Sequence, residues 1–263
     1  MVLEPVQYLI GAGSGSLVGF TLGLVGGGGS ILAVPLMVYL VGVTSPHVAI
    51  GTSALAVAAN AGANLGPHAR QRTIKWRCAA MFAAAGVVGA YGGSTLGKAF
   101  DGQRLLFLFA LLMLMVGALM LKNRRDPGNP DIQCHRRNAP KVVAYGLGTG
   151  LLSGFFGIGG GFLIVPGLMA STGMPMRNAV GSSLVAVAAF GLTAALNYAA
   201  SGLIDWLLAA AFIGGGVIGG LAGAVASHRL SQYRGALNLI FATLIFLVAG
   251  YMLWNSGATM MNR

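Results

Sequence analysis

The sequence predicts an all-α polytopic membrane protein made of two inverted repeats. Each repeat has five apolar segments and opens with a glycine-interrupted pair of short helices or a re-entrant hairpin. Three observations predict this. Of 263 residues, 56% are hydrophobic and only 8% charged, with a mean hydropathy of +0.78, whereas a soluble domain carries roughly 25% charged residues. Ten apolar segments follow one another with short polar breaks. The second five then repeat the first five at nearly constant spacing.

The segments run Pro5 to Val25, Ser30 to Gly42, His47 to Gly66, Arg77 to Leu96 and Leu105 to Leu121 in the first half. A polar linker with three prolines follows. The second half has Val142 to Phe156, Phe162 to Ser171, Ala179 to Ser201, Trp206 to Ser227 and Ala236 to Trp254. Gly51-Thr52-Ser53 matches Gly181-Ser182-Ser183, Ile74-Lys75-Trp76 matches Ile204-Asp205-Trp206, and Gly86, Gly89 and Gly93 match Gly216, Gly219 and Gly223, all 130 apart. The division is therefore a first transmembrane repeat over 1–121, a cytoplasmic linker over 122–140 and a second repeat over 141–263. Internal repeats of this kind characterise transporters.

Charge sets the expected orientation. The linker region carries Lys122, Arg124, Arg125, Arg136, Arg137 and Lys141, which places it in the cytoplasm. If the first two segments of each repeat make an even number of crossings, Arg70, Arg72, Lys75, Arg77, Arg177, Arg229 and Arg234 share that side. Thirteen of the sixteen basic residues then lie inside, against Lys98, Arg104 and Arg263 outside. If each pair is a single broken span, only eleven do. The even arrangement makes the repeats inverted and both termini external. In a soluble protein a net charge of +11 would suggest nucleic acid; here it holds loops on one side, and no nucleic-acid partner is expected. Met1 to Gln7 has no basic residue, so no signal peptide is read there.

The organising feature is a glycine-rich turn that occurs twice, at Gly23 to Leu36 and at Gly154 to Gly167. Each turn interrupts an apolar run, is followed by Pro35 or Pro166, and opens a segment too short to span untilted, since a crossing takes about 20 residues. Bare N–H groups and the positive end of a helix dipole favour an anion. Inverted symmetry would aim both turns at one point. Gly28, Gly29 and Ser30, with Gly159, Gly160 and Gly161, are the expected anion ligands. Thr52, Asn60 and Asn64 lie on one face of the third segment, with Ser53 beside them, and the matching segment carries Ser182, Ser183 and Asn197. Hydroxyls and amides can donate to an oxyanion, and the same residues serve helix-to-helix hydrogen bonding equally well. The small residues at every fourth position of the fourth segments, Ala85, Gly89 and Gly93, then Gly215, Gly219 and Gly223, read as packing.

No acidic residue lies within an apolar run, so the proton relays that pumps build from such residues are not expected. The sequence offers no nucleophile with a paired base and no paired carboxylates, so an enzyme acting on lipid head groups is disfavoured. Cys78 and Cys134 read as free thiols, and Cys134-His135 lacks the further ligands of a zinc site, so neither metal nor cofactor is expected.

The motif Gly-x-x-Gly-x-Gly-Gly-Gly-x-x-x-x-Pro at Gly154 to Pro166, its partner at Gly23 to Pro35, and the Gly-Thr-Ser of the third segment resemble the TauE/SafE sulfite exporter family. The resemblance covers nearly the whole chain. It implies export of sulfite or a small organosulfonate, such as sulfoacetate, across a bacterial cytoplasmic membrane. Uptake, or transport of another anion such as sulfate or thiosulfate, stays open, as does a structural subunit or a homodimer. Two positions depart from the pattern: Ser30 stands where the second copy has Gly161, and Phe190 stands where the first repeat has Asn60.

Overall fold

The computed structural model describes residues 4–122, 138–157, 161–229, 243 and 245–255. Among these the secondary structure is entirely helical. Helix α1 spans Pro5–Val25. It is followed by a 3-10 segment, Gly26–Leu32, a single α turn, α2, Ala33–Pro35, and a π-helical turn, Leu36–Leu40. The long helices α3, Pro46–Arg70, α4, Trp76–Ala99, and α5, Gly102–Lys122, complete the first half. The second half holds α6, Ala139–Phe156, α7, Gly161–Thr172, α8, Met176–Ala199, α9, Trp206–Arg229, and α10, Ile245–Asn255. Four of them, α3, α4, α8 and α9 (to Ala226), are long and apolar enough to cross a membrane.

Local chemistry sets several boundaries. Pro46 opens α3 at the position where its missing N–H costs nothing, and the Ser45 hydroxyl accepts from Val48 N–H. The turn after α3 uses Arg72 at φ +53°, and the matching turn after α8 uses Gly202 at φ +69°. Gly157 ends α6 in the left-handed conformation, φ +64°, the usual glycine C-cap. Each first helix is followed by a segment that doubles back. Gln7 Nε2, near the start of α1, donates to Val41 O at 2.9 Å. In α7, a Cβ at Gly167 would touch Thr149 of α6 at 3.0 Å.

The helices pair across the two halves. Helix α1 packs along α9, α6 along α4, and α3 along α8, while α4 also touches α8 and α3 touches α9. Every one of these pairings has its counterpart under the 130-residue spacing. The first two are glycine seams: a Cβ at Gly15, Gly19 or Gly23 would run into backbone of Phe212, Gly216 or Gly220, and one at Gly89, Gly93 or Gly97 into Leu147, Leu151 or Phe155. The order of these contacts makes each seam a parallel pair. Steps of four residues on both helices bring backbones together without Cβ atoms between them, so dispersion acts over the whole length. The α3–α8 pair instead runs antiparallel, with Gly51 on Tyr198, Gly191 on Ala54 and Ala58, and Gly181 on Thr73.

One expectation needs correction here. Cys78 is buried and disulfide-bonded, not a free thiol; Cys134 lies outside the described residues.

Candidate functional site

The antiparallel α3–α8 pair forms the middle of the bundle, and its two ends differ in charge. Arg70, Arg72, Lys75, Arg77 and Arg177 gather where α3 ends and α8 begins, and Lys141 joins them at the start of α6. The described carboxylates, Glu4, Asp101 and Asp205, all lie at the opposite end, with Lys98 and Arg104.

The Gly-Thr-Ser and Gly-Ser-Ser motifs do the same work in each half. Thr52 Oγ1 accepts from the Asp205 N–H at 3.0 Å, and Ser182 Oγ accepts from the Lys75 N–H at 2.9 Å. Each hydroxyl thereby docks the turn that precedes a fourth helix onto the third helix of the other half. Ser53 and Ser183 donate back to Ile50 O (2.9 Å) and Val180 O (2.8 Å) within their own helices. Gly51 and Gly181 leave room for Leu203 and Thr73 of the docked turns. Asn178 Nδ2 adds a bond to Thr73 O at 3.1 Å.

Position-matched side chains also meet at the ends. His47 stacks on Tyr198, ring centroids 6.5 Å apart. At the basic end the equivalent positions are Arg177 and His68. Thr73 Oγ1 donates to His68 O at 3.0 Å and lies 3.2 Å from His68 Nδ1.

The described parts of the two glycine turns can be located against α3. Gly157 sits against Ile50, one turn into α3. Gly23 sits against Gly220 of α9, which lies against Asn64, near the other end of α3. Ile50 and Asn64 are fourteen residues apart, about 21 Å along a helix. The ends of α1 and α6 are therefore set apart along α3, because each first helix runs alongside a long fourth helix before it breaks. Gly29 packs on Thr21 and Leu22, Ser30 is fully buried, and the 3-10 segment holding Gly28 touches α7 and α8. Gly161 is buried at the start of α7. Gly159 and Gly160 lie outside the described residues.

Asn197 does not face the other candidates. It bridges α8 to α4 near the acidic end, donating through Nδ2 to Ser94 Oγ (2.6 Å) and Thr95 Oγ1 (2.9 Å) and accepting through Oδ1 from Lys98 Nζ at 2.8 Å.

Asn60 and Asn64 differ from all of these. Asn60 is fully buried near the middle of α3, and neither its Nδ2 nor its Oδ1 has a partner. Asn64, 2% exposed, donates through Nδ2 to Asn60 O at 2.8 Å, leaving Oδ1 without one. Both amides lie against glycine backbone of α9, at Gly216 and Gly220. At the matched place Phe190 presses on Gly86 and stacks on Phe82, so one half carries amides where the other carries rings. Buried polar atoms normally find partners, and each exception asks for an explanation. Ser14 on α1 and Ser153 on α6 are further buried hydroxyls without partners, which the sequence did not single out.

The model of the family described as sulfite exporter TauE/SafE matches residues 11–252. The chain belongs to this family. A probable membrane transporter protein of Xylella fastidiosa (strain 9a5c) is 53% identical over 255 residues, 97% of this chain and 98% of that protein. The probable membrane transporter protein YunE of Bacillus subtilis (strain 168) is 27% identical, covering 87% of this chain and 89% of its own. A third, MJ0441 of Methanocaldococcus jannaschii, carries the same description at 27% identity over 199 residues. No solved structure matches. This TauE/SafE member is thus a multi-pass membrane transporter, not an enzyme.

Proposed function

We propose that this transporter exports sulfite or a small organosulfonate across the cytoplasmic membrane, with Asn60 Nδ2 as a central donor to the oxyanion. The observation that carries the reading is the separation of charge: basic side chains, Arg177 among them, gather at one end of the α3–α8 pair, and the described carboxylates lie at the other. With the basic end in the cytoplasm, anions concentrate at the entrance and meet carboxylates only at the exit. An inside-negative potential favours departure by about 2.3 kcal/mol per charge per 100 mV. The clusters of Gly28, Gly29, Ser30, Ser182 and Ser183 toward the entrance, and of Thr52, Ser53, Gly161 and Asn197 toward the exit, are read as stations on either side of Asn60 and Asn64, with Gly159 and Gly160 as further anion ligands from the sequence motif. Thr52 and Ser182 accept one bond each and keep a proton to donate.

The repeats, 1–121 and 141–263, are read as inverted about the cytoplasmic linker 122–140. The antiparallel α3–α8 pair supports this, because a single broken span at the start of each repeat would leave those helices parallel. Labelling tests the orientation. With Cys78 and Cys134 replaced, a cysteine at exposed Gln71 should resist an impermeant thiol reagent in intact cells, and one at Ala200 should react. The reverse pattern overturns the orientation.

Flux tests the function. In liposomes holding sulfite or sulfoacetate, release should quicken as the potential drives negative charge outward, and should ignore a pH gradient set separately. Release that follows only the pH gradient, or none for any sulfur oxyanion, refutes the reading.

A further inference from the structure

We propose that the Asn60–Asn64 step of α3 holds a small monovalent cation through its amide oxygens, beside the transported anion. The proposal rests on the anion reading above and adds a second ligand to it.

Donor accounting carries the inference. Asn64 Nδ2 lies 2.8 Å from Asn60 O. A carbonyl only accepts, so the atom facing it is the nitrogen and the leftover atom is Oδ1. That oxygen is buried without a partner, and so are both amide atoms of Asn60. The two residues are four apart on one helix, which brings their Cβ atoms to about 5–6 Å. Both amides are backed by α9: a Cβ at Gly220 would sit 2.6 Å from Asn64 Nδ2 and 3.2 Å from Oδ1, and one at Gly216 would run into the Asn60 amide. One face therefore offers a single unused NH₂ group and two bare amide oxygens. An oxyanion can take the NH₂ group of Asn60. It is repelled by Asn64 Oδ1, which needs a donor or a positive charge.

The surroundings select the kind of charge. The described carboxylates, Glu4, Asp101 and Asp205, all lie at the acidic end of the bundle, and no cluster of three metal-binding His, Cys, Asp or Glu side chains occurs among the described residues. Calcium and magnesium sites rely on carboxylates, and a buried divalent ion here would keep its charge uncompensated. A monovalent ion suits neutral oxygens, as transporter sites for sodium do. The substrate supplies the balancing charge and its own oxygens complete the shell. For a dianion, one cation still leaves net negative charge, so transport stays sensitive to potential. Cation and anion must then raise each other's affinity by the same factor.

The test is equilibrium binding of sulfoacetate to the purified full-length protein. Sulfoacetate is preferred because sulfite attacks disulfides. Affinity and thermal stability are measured in sodium, potassium and choline chloride at equal ionic strength. Sodium or potassium should tighten sulfoacetate binding at least fivefold over choline, within the usual range of such couplings. Asn64→Leu keeps the branching and removes the bare oxygen, so it should fold and lose the difference between salts, binding sulfoacetate in each no more tightly than the unaltered protein does in choline. Equal affinity in all salts for the unaltered protein, as for a slot holding only water, overturns the proposal. So does a cation effect that persists in Asn64→Leu. If sulfoacetate binds in no salt, the anion reading has failed instead. The cation site is then decided by whether sodium or potassium alone raises the melting temperature of the unaltered protein but not of Asn64→Leu.

Discussion

Gly93→Leu and Gly215→Leu are expected to abolish the monodisperse folded particle, while Gly92→Leu and Gly214→Leu, one residue away, leave it intact. A Cβ at Gly93 would run into the Leu151 carbonyl of α6, and one at Gly215 into the Ala12 carbonyl of α1. Nothing lies within 4 Å of a Cβ at Gly92 or Gly214, so those leucines enter open space between the described residues. Overpacking a core costs typically 1–3 kcal/mol. Here the obstacle is backbone and the whole seam must open, so a loss at or above about 3 kcal/mol is expected. Size-exclusion profile and melting temperature check it. Equal behaviour of the adjacent pairs would mean that the seams are looser than the contacts imply.

Asn60→Leu should make the transporter more stable and nearly inactive. A buried polar group without a partner costs about 1–3 kcal/mol, and leucine, with the same number of side-chain heavy atoms and the same branching, carries no such cost. The melting temperature should rise accordingly. Anion flux should fall at least tenfold, about 1.4 kcal/mol of lost interaction. A purely structural asparagine would give the first result without the second, so unchanged flux in a stabilised protein assigns Asn60 to packing. Opposite signs for stability and activity mark a site whose polarity serves a ligand.

Much of this fold was legible in the residues. Pro5 to Val25 predicts α1 to the residue, and Phe162 to Ser171 differs from α7 by one residue at each end. The fourth-position glycines announce the seams, because that spacing serves close helix approach. Which helices share a seam was not legible, since periodicity describes one helix and not its partner. The site was less legible still. Thr52, Asn60 and Asn64 share a helix face, yet Thr52 is engaged by a backbone N–H from 153 residues away, while the Asn60 side chain is engaged by nothing. Side-chain type and spacing show which groups can donate, and only the folded neighbours show which have already done so. The glycine turns illustrate the same limit: matched motifs describe each turn alone, and only the folded neighbours show that the ends of α1 and α6 lie apart along α3 while the 3-10 segment packs on α7.

The seams also set a timetable for biogenesis. Helix α4 meets α6 after about 40 further residues, roughly 2–8 s at ribosomal elongation rates of about 5–20 residues per second. Helix α1 must wait about 180 residues for α9, roughly 9–36 s at the same rates. Throughout that delay its glycine face lies bare to lipid and open to any other small-residue stripe within reach. Ribosome pausing or truncation before α9 emerges thus leaves α1 without its partner, while the α4–α6 seam has already closed.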